Sequence, residues 1–284
     1  MNGKNNEGNN TKQLHAGTMV LDLTTPVVMG IINCNEDSFY AGSRATREDL
    51  IQKKIDQLIA AGADIIDVGG RSSRPGSIDI TVEEEIKRVS FAIQYLHSAY
   101  PQTWTSIDTT QSAVAEFAVA TGAHLVNDIS SGDMDRYMIE MVAKLGVPYV
   151  CMHMQGTPAT MQQSPYYDDV VKDVAGYIKE KVAHCKDSGI NQVIADPGFG
   201  FGKTIEHNYA LLHHLENLVE PDIPLLVGFS RKSMIYKLLG ITAEEALNGT
   251  TALHMAALLK GASILRVHDV LEARQVVQLF QALK

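Results

Sequence analysis

Gln192-Val-Ile-Ala-Asp196-Pro-Gly-Phe-Gly-Phe-Gly-Lys203 is the stretch on which the reading of this chain turns. Four residues of strand character, 192–195, run into a carboxylate, a proline, and three glycines alternating with two phenylalanines. An apolar strand that ends abruptly in an acid and a glycine-rich loop is how parallel α/β proteins present a functional group. The strand is buried and its carboxyl end opens onto the loops that hold ligand. On its own, Asp196-Pro197-Gly198 also reads as an ordinary turn. Two nucleotide readings fail on spacing. Gly202-Lys203-Thr204 looks like the end of a phosphate loop, but the first glycine of that motif falls at position 197, a proline. Glycines at 198, 200 and 202 also miss the interval of the dinucleotide fingerprint.

Outward from this stretch the same unit recurs. Strand-like apolar runs occupy residues 27–33, 64–70, 104–108, 125–129, 148–153, 225–229 and 264–268, which with 192–195 makes eight. Helical patterns separate them, at 112–121, 135–144, 168–187, 205–218, 243–260 and 270–283, with a short one ending at 239. Thr46 opens the first helix, whose apolar stripe is read as Leu50, Ile55, Leu58 and Ile59. Thr81 with Glu84, Thr242 with Glu245, and Asp269 with Glu272 have capping-box spacing. Eight alternations without a linker predict a single-domain (β/α)8 barrel over residues 14–284; a doubly wound sheet commonly uses fewer units. Residues 1–13, rich in Asn, Gly and Lys, read as a disordered tail and not as a signal peptide.

Composition narrows the function. The 284 residues are 45% apolar and 20% charged, ordinary for a soluble chain able to bury a sizeable core. A net charge of −9 argues against non-specific nucleic-acid binding, which asks for a basic face. No apolar run is long enough to span a bilayer. Cys34, Cys151 and Cys185 are odd in number and lack zinc spacing, which suits a reducing, cytoplasmic location.

In a barrel the reactive groups gather at the carboxyl ends of the strands. Asn33, Ser72, Ser73, Asp108, Asn127, Asp196, Lys232, Arg266 and His268 all fall there. Singly, Asp108 could be a helix cap and Asn127 a strand terminator; the repetition at nearly every strand favours a site. Arg266 and His268, two apart, leave an extended strand by one face, and with the start of the following helix they suit an anion. The competing reading pairs Arg266 with a neighbouring acid and packs His268 in the core. Asp108, Asn127, Asp196 and Lys232 suit a planar polar heterocycle: carboxylates accept paired N–H groups, an amide gives and accepts, and an ammonium donates to a carbonyl. His153 near Cys151 tempts a metal reading, but packing on a barrel strand explains both. Tyr166-Tyr167 reads as a surface stack.

These motifs resemble, in order, those of dihydropteroate synthase, a pterin-binding barrel family. The resemblance is carried by Met29-Gly-Ile-Ile-Asn33, Asp37-Ser-Phe39, Gly69-Gly70, Ser72-Ser-Arg-Pro-Gly76, Ser106-Ile-Asp108, Asn127-Asp-Ile129, Asp196-Pro-Gly-Phe-Gly-Phe201, Ser230-Arg-Lys-Ser233 and Arg266-Val-His-Asp-Val270. It implies condensation of 6-hydroxymethyl-7,8-dihydropterin diphosphate with 4-aminobenzoate, release of pyrophosphate, dependence on Mg2+ and a homodimer. It further implies that Asp108, Asn127, Asp196 and Lys232 hold the pterin, and Asn33, Arg266 and His268 the diphosphate. Asn33 would also bind the metal. Ser73, Arg74, Pro75, Phe201 and Ser233 would surround the aminobenzoate, and Asp108, Lys232, Arg266 and His268 carry the chemistry. The chain departs from the family pattern at Asn35, Glu36, Ala41, Arg71 and Ser73. A methyltransferase of the same fold and a non-catalytic pterin-binding paralogue are the alternatives.

Overall fold

A computed structural model describes residues 12–35, 44–71, 80–158, 160–161 and 163–283. Its frame is the expected barrel. Eight parallel strands pair in the order β8-β7-β6-β5-β4-β3-β10-β9. These are β3 (Val27–Asn33), β4 (Ile65–Gly69), β5 (Trp104–Asp108), β6 (Leu125–Asp128), β7 (Tyr149–Met152), β8 (Val193–Asp196), β9 (Leu226–Val227) and β10 (Ile264–Val267). A parallel bridge from Ala195 to Leu225 joins β8 towards β9 and closes the ring. The strands are apolar on both faces because side chains pack inward into the barrel and outward against helices. Ile65, Ile66, Val68, Val126, Val150 and Ile194 are all fully buried.

The helices are α1 (Arg44–Ala60), α2 (Val82–Ala99), α3 (Ser112–Thr121), α4 (Met138–Leu145), α5 (Val170–Asp187), α6 (Ile205–His213), α7 (Ser233–Leu239), α8 (Leu247–Leu259) and α9 (Val270–Ala282). Several differ from the sequence reading for local reasons. The buried stripe of α1 is Ile51, Ile55 and Leu58, at i, i+4 and i+7, while Leu50 is exposed. Thr81 caps α2 by accepting from the Glu84 amide. Glu245 accepts from the Thr242 amide at 2.9 Å, yet α8 starts only at Leu247, so this half-box closes a turn ahead of the helix. Asp269 gives α9 no side-chain cap. Its carboxylate takes both Nε and Nη2 of Arg231 instead, at 2.8 and 3.0 Å.

A hairpin precedes the barrel: β1 (Gln13–Ala16) pairs antiparallel with β2 (Met19–Asp22). Its first strand thus begins inside the stretch read as a tail. Leu14, Ala16, Leu21 and Leu23 are buried. Gln192, just ahead of β8, accepts from the His15 amide (2.6 Å) and donates to the His15 carbonyl (2.8 Å). The hairpin therefore covers the amino-terminal end of the barrel and leaves the other end for ligand.

One core side chain is paired poorly. His254 of α8 is buried against Phe229 with centroids 5.2 Å apart, and neither ring nitrogen has a partner among the described residues. Burial pushes its pKa down to about 4. The unfolded chain takes up that proton near pH 6.5, so stability falls as pH drops from about 6.5 to 4, by up to about 1.4 kcal/mol per unit. His254→Leu is expected to raise stability by about 1–3 kcal/mol at neutral pH and to flatten that acid-side loss. Thermal melts at pH 7.5 and 5 check this; a variant less stable at both would refute it.

Candidate active site

The glycine loop after β8 shapes one wall. Gly198 has φ of +67°, and a Cβ there would lie 1.9 Å from the His153 carbonyl oxygen, so only glycine fits. Asp196 folds back to accept from the Gly198 amide at 2.7 Å. Gly200 also has a positive φ, and a Cβ would press to 3.2 Å from Cδ of Lys232. That close approach brings the Lys232 ammonium to the Phe199 carbonyl at 2.5 Å and over the Phe201 ring at 4.6 Å from its centroid. Burial lowers the Lys232 pKa to about 8, against the pull of Asp196. Burial raises that of Asp196, opposed by the Gly198 amide and then by Lys232.

Arg266 occupies the centre. Its Nε donates to Asp67 at 2.7 Å and its Nη2 to Asp108 at 2.5 Å. Gly228, one residue past β9, lies alongside the arginine stem: a Cβ there would sit 3.7 Å from Cβ of Arg266, in ordinary contact. The same Asp67 oxygen accepts from the Asn127 amide at 3.1 Å, while its other oxygen is buried without a partner among the described residues. Burial raises the Asp108 pKa to about 7; Arg266 opposes the shift, and Asp67, Glu85 and Asp128 add to it. Asp128 itself is a staple, accepting from Ser130, the Gly132 amide and the Tyr149 hydroxyl.

Asn33 ends β3 beside this group. A Cβ on Gly69 would lie 3.7 Å from both Asn33 Oδ1 and Asp108 Oδ2, so the two side chains converge over that glycine. His268 stands one residue beyond β10, exposed at the rim, with its amide 3.4 Å from the Ser230 hydroxyl. The reading that packs His268 in the core is therefore overturned. The pairing of Arg266 with acids is real, but both acids belong to the same end of the barrel. Ser233 opens α7, and Phe201 lies under Lys232. Ser73, Arg74 and Pro75 lie outside the described residues, as do Ser72, Glu36, Asp37 and Ala41.

Charge interactions tie these groups into one site. Lys232 feels Asp196, Arg266 and Asp108, and Asp196 feels Lys232, Arg266 and Lys203. Among the described residues no cluster of three His, Cys, Asp or Glu side chains could hold a metal. His153 and Cys151 part company: the imidazole meets Lys203, and the Cys151 thiol lies 3.5 Å from that of Cys185. Tyr167 does not stack on Tyr166; it turns inward between His153 and His207.

A model of the pterin-binding enzymes matches residues 29–268 of the chain. The chain belongs to the pterin-binding enzyme family. It is similar to the dihydropteroate synthase of Escherichia coli K12, at 43% identity over 274 residues, covering 95% of this chain and 96% of that one. Among solved structures it resembles the Yersinia pestis dihydropteroate synthase in complex with a sulfonamide drug. There the TM-score is 0.89 and identity 41%, covering 95% of this chain and 98% of the other. The Xanthomonas albilineans dihydropteroate synthase in complex with 7,8-dihydropteroate gives a TM-score of 0.86 at 36% identity, again covering 95% and 98%.

Within this pterin-binding barrel, three polar residues of the cluster escaped sequence reasoning. Asp67 is a lone acid in an otherwise apolar strand, Ile65-Ile66-Asp67-Val68, and that isolation was its signal. Glu85 faces inward from α2, fully buried, taking Thr109 at 2.7 Å and Arg71 at 3.2 Å. Its place among three consecutive glutamates hid it, since such a run reads as a solvated helix start. Lys203, whose residue type is usually found at the surface, is buried behind the glycine loop.

Proposed function

We propose that this chain is a transferase, a dihydropteroate synthase, that joins 6-hydroxymethyl-7,8-dihydropterin diphosphate to 4-aminobenzoate and releases pyrophosphate. The observation that carries this is Arg266. It stands between Asp67 and Asp108, where an acid-and-amide pocket meets the rim that carries His268.

In this reading the pterin lies against Asp108, Asn127, Asp196 and Lys232. The carboxylates accept from its amidine-like N–H groups, and Lys232 donates to a ring carbonyl or nitrogen. Arg266 and His268 face the diphosphate together with the first turn of α9, which Asp269 leaves uncapped because it is engaged by Arg231. As the methylene–oxygen bond lengthens, Arg266 and His268 take up charge on the leaving group. Asp108 stabilises the pterin cation left behind. The weakly basic aniline nitrogen then attacks the methylene, held by Phe201 and Ser233, with Ser73, Arg74 and Pro75 assigned to the same substrate by the family resemblance. No protein nucleophile is required.

Mg2+ fits this site as a substrate-borne ion. It usually keeps several waters and binds through one or two protein oxygens plus phosphate, so Asn33 Oδ1 suffices on the protein side. When bound it would neutralise charge on the departing diphosphate.

The chain is further proposed to act as a homodimer in the cytoplasm. Helix α8 is apolar nearly all round, and Leu238, Leu239, Leu259, Leu271 and Leu279 are exposed on α7, α8 and α9. Leu259→Arg is expected to shift sedimentation from dimer to monomer; a wild-type monomer would refute the assembly. All three cysteines are buried thiols, in keeping with a reducing compartment, and no helix among the described residues is long and apolar enough to cross a membrane.

The deciding experiment is pyrophosphate release with the pterin diphosphate, with and without 4-aminobenzoate, in magnesium and after chelation. Release that needs both substrates supports the synthase. Calorimetric binding of the pterin diphosphate without any release would leave a binding protein instead.

A further inference from the structure

Two side chains that the reaction above does not use, Lys203 and His153, meet directly behind the glycine loop. Lys203 is 4% exposed and, among the described residues, no ion pair joins it to a carboxylate. Its ammonium lies 2.9 Å from Nδ1 of His153, 3.2 Å from the His153 carbonyl, 2.9 Å from that of Gly198 and 3.0 Å from that of Phe201. In its ammonium form Lys203 has three protons and cannot accept, so in that form the His153 Nδ1 is the acceptor and that ring's proton sits on Nε2. Four oxygen and nitrogen lone pairs thus converge on three protons. Two belong to the end of β7 and two to the loop after β8.

That arrangement is costly, which is what makes it informative. Burial pushes the Lys203 pKa down to about 7 and that of His153 to about 3. A buried amine whose hydrogen bonds all go to neutral acceptors, with the Asp196 carboxylate acting on it only at longer range, contributes less to stability than an apolar side chain of the same shape. Stability of the fold therefore gives no account of it.

Its geometry gives one. The two loop carbonyls it fixes, Gly198 and Phe201, bracket the segment that meets Lys232. Between them Phe199 supplies the carbonyl that takes the Lys232 ammonium, and Phe201 supplies the ring beneath it. At the near end, the Gly198 amide holds the Asp196 carboxylate. The far end is tied again, where the Tyr167 hydroxyl donates to the Gly202 carbonyl at 2.8 Å. A glycine-rich loop has no side chains with which to hold its own shape. The cation behind it does so from the carbonyl side.

We propose that Lys203, seated on His153, is a positioning residue for pterin recognition: it fixes the 198–201 loop so that Lys232 and Asp196 are aimed together at the pterin ring. The proposal rests on the synthase reading for the identity of that ring. Lys203 itself touches neither substrate, so its loss should appear mainly in pterin affinity, with a smaller effect on the aminobenzoate side through Phe201.

The test uses the full chain. Lys203→Met keeps the volume and removes the donors. His153→Leu removes the side-chain acceptor, and His153→Asn restores an acceptor near the place of Nδ1. Expected are a pterin-diphosphate KM raised at least about tenfold in Lys203→Met, with the 4-aminobenzoate KM raised by a clearly smaller factor, about threefold or less. His153→Leu should show the same split, smaller, and His153→Asn should recover most of it. An unchanged pterin KM in Lys203→Met, equal rises in both KM values, or a His153→Asn no better than His153→Leu would overturn the proposal. Should Lys203→Met fail to fold, the two His153 variants decide; failure of all three to fold would make the pair a scaffold and also overturn it. Calorimetry with the pterin diphosphate reads the same affinity without turnover, so an inactive wild type would sink the synthase reading while leaving this one answerable.

Discussion

Arg266→Ala should lower kcat/KM for the pterin diphosphate about a thousandfold and also take roughly 6–12 °C from the melting temperature. The catalytic loss follows from removing a preorganised cation where charge develops on the leaving group, an effect of about 10²–10³ for one donor. A further share comes from the shape of the pocket, since the same guanidinium holds Asp67 and Asp108 in place. The stability loss has a separate cause. Asp67 is fully buried, and without its partner it is an uncompensated charge, for which about 3–5 kcal/mol is typical. The arginine side chain is itself only 20% exposed, so solvent does little to soften this, and the expected loss is about 3 kcal/mol. In a chain of this size each kcal/mol moves the midpoint by about 2–4 °C. A second substitution separates the two effects. Asp67→Asn added to Arg266→Ala removes the orphaned charge and keeps an acceptor for Asn127, so the melting temperature should recover while turnover should not. Activity within tenfold of wild type in the single variant would remove Arg266 from the mechanism.

The barrel was legible in the sequence because its signal is repeated. Each strand had to be apolar on both faces and to end in a polar residue, and residues 104–108 were placed to the residue for that reason. The site was legible for the same cause, since strand ends in a closed ring share one rim. What escaped was whatever lacked a period or depended on a partner far along the chain. Hairpin β1–β2 has only four residues in each strand, too few for alternation to stand out, and it is secured by Gln192, some 177 residues away from His15. Asp269 had the spacing of a helix cap, and nothing local could reveal that Arg231 would claim its carboxylate. That arginine takes φ of +53°, a conformation costly for a side-chain-bearing residue, directly before Lys232. Its pairing with Asp269 ties the Lys232 loop to the His268 loop, which is a fact of the closed barrel and of no single segment. Lys203 is the sharpest case. Spacing already excluded a phosphate loop at Gly202-Lys203 without saying what the lysine does instead, and the fold turns it away from ligand towards carbonyls.

Asp108→Asn should change the shape of the pH profile as well as its height. In the wild-type enzyme burial lifts the Asp108 pKa to about 7, so below that pH the group is protonated in a growing share of molecules. Only the carboxylate can stabilise a pterin cation, and so kcat/KM for the pterin diphosphate should climb with pH up to about 7 and fall again above about 8 as Lys232 loses its proton. Binding of a ligand that presents donors to this group would favour the ionised form and move the rising limb to lower pH in kcat than in kcat/KM. Asparagine has the same shape and carries no charge at any pH. The variant should therefore lie about a hundredfold below wild type at pH 8, and its own profile should lack the limb. The gap then narrows by about tenfold per pH unit below 7, because the wild type loses by protonation what the variant never had. Arg266 loses one of its two charged partners in the variant and keeps Asp67, so the central ion pair survives and the fold with it. Two profiles running parallel from pH 5 to 8 would mean that some other group sets the limb, and that Asp108 acts on the pterin through hydrogen bonding alone.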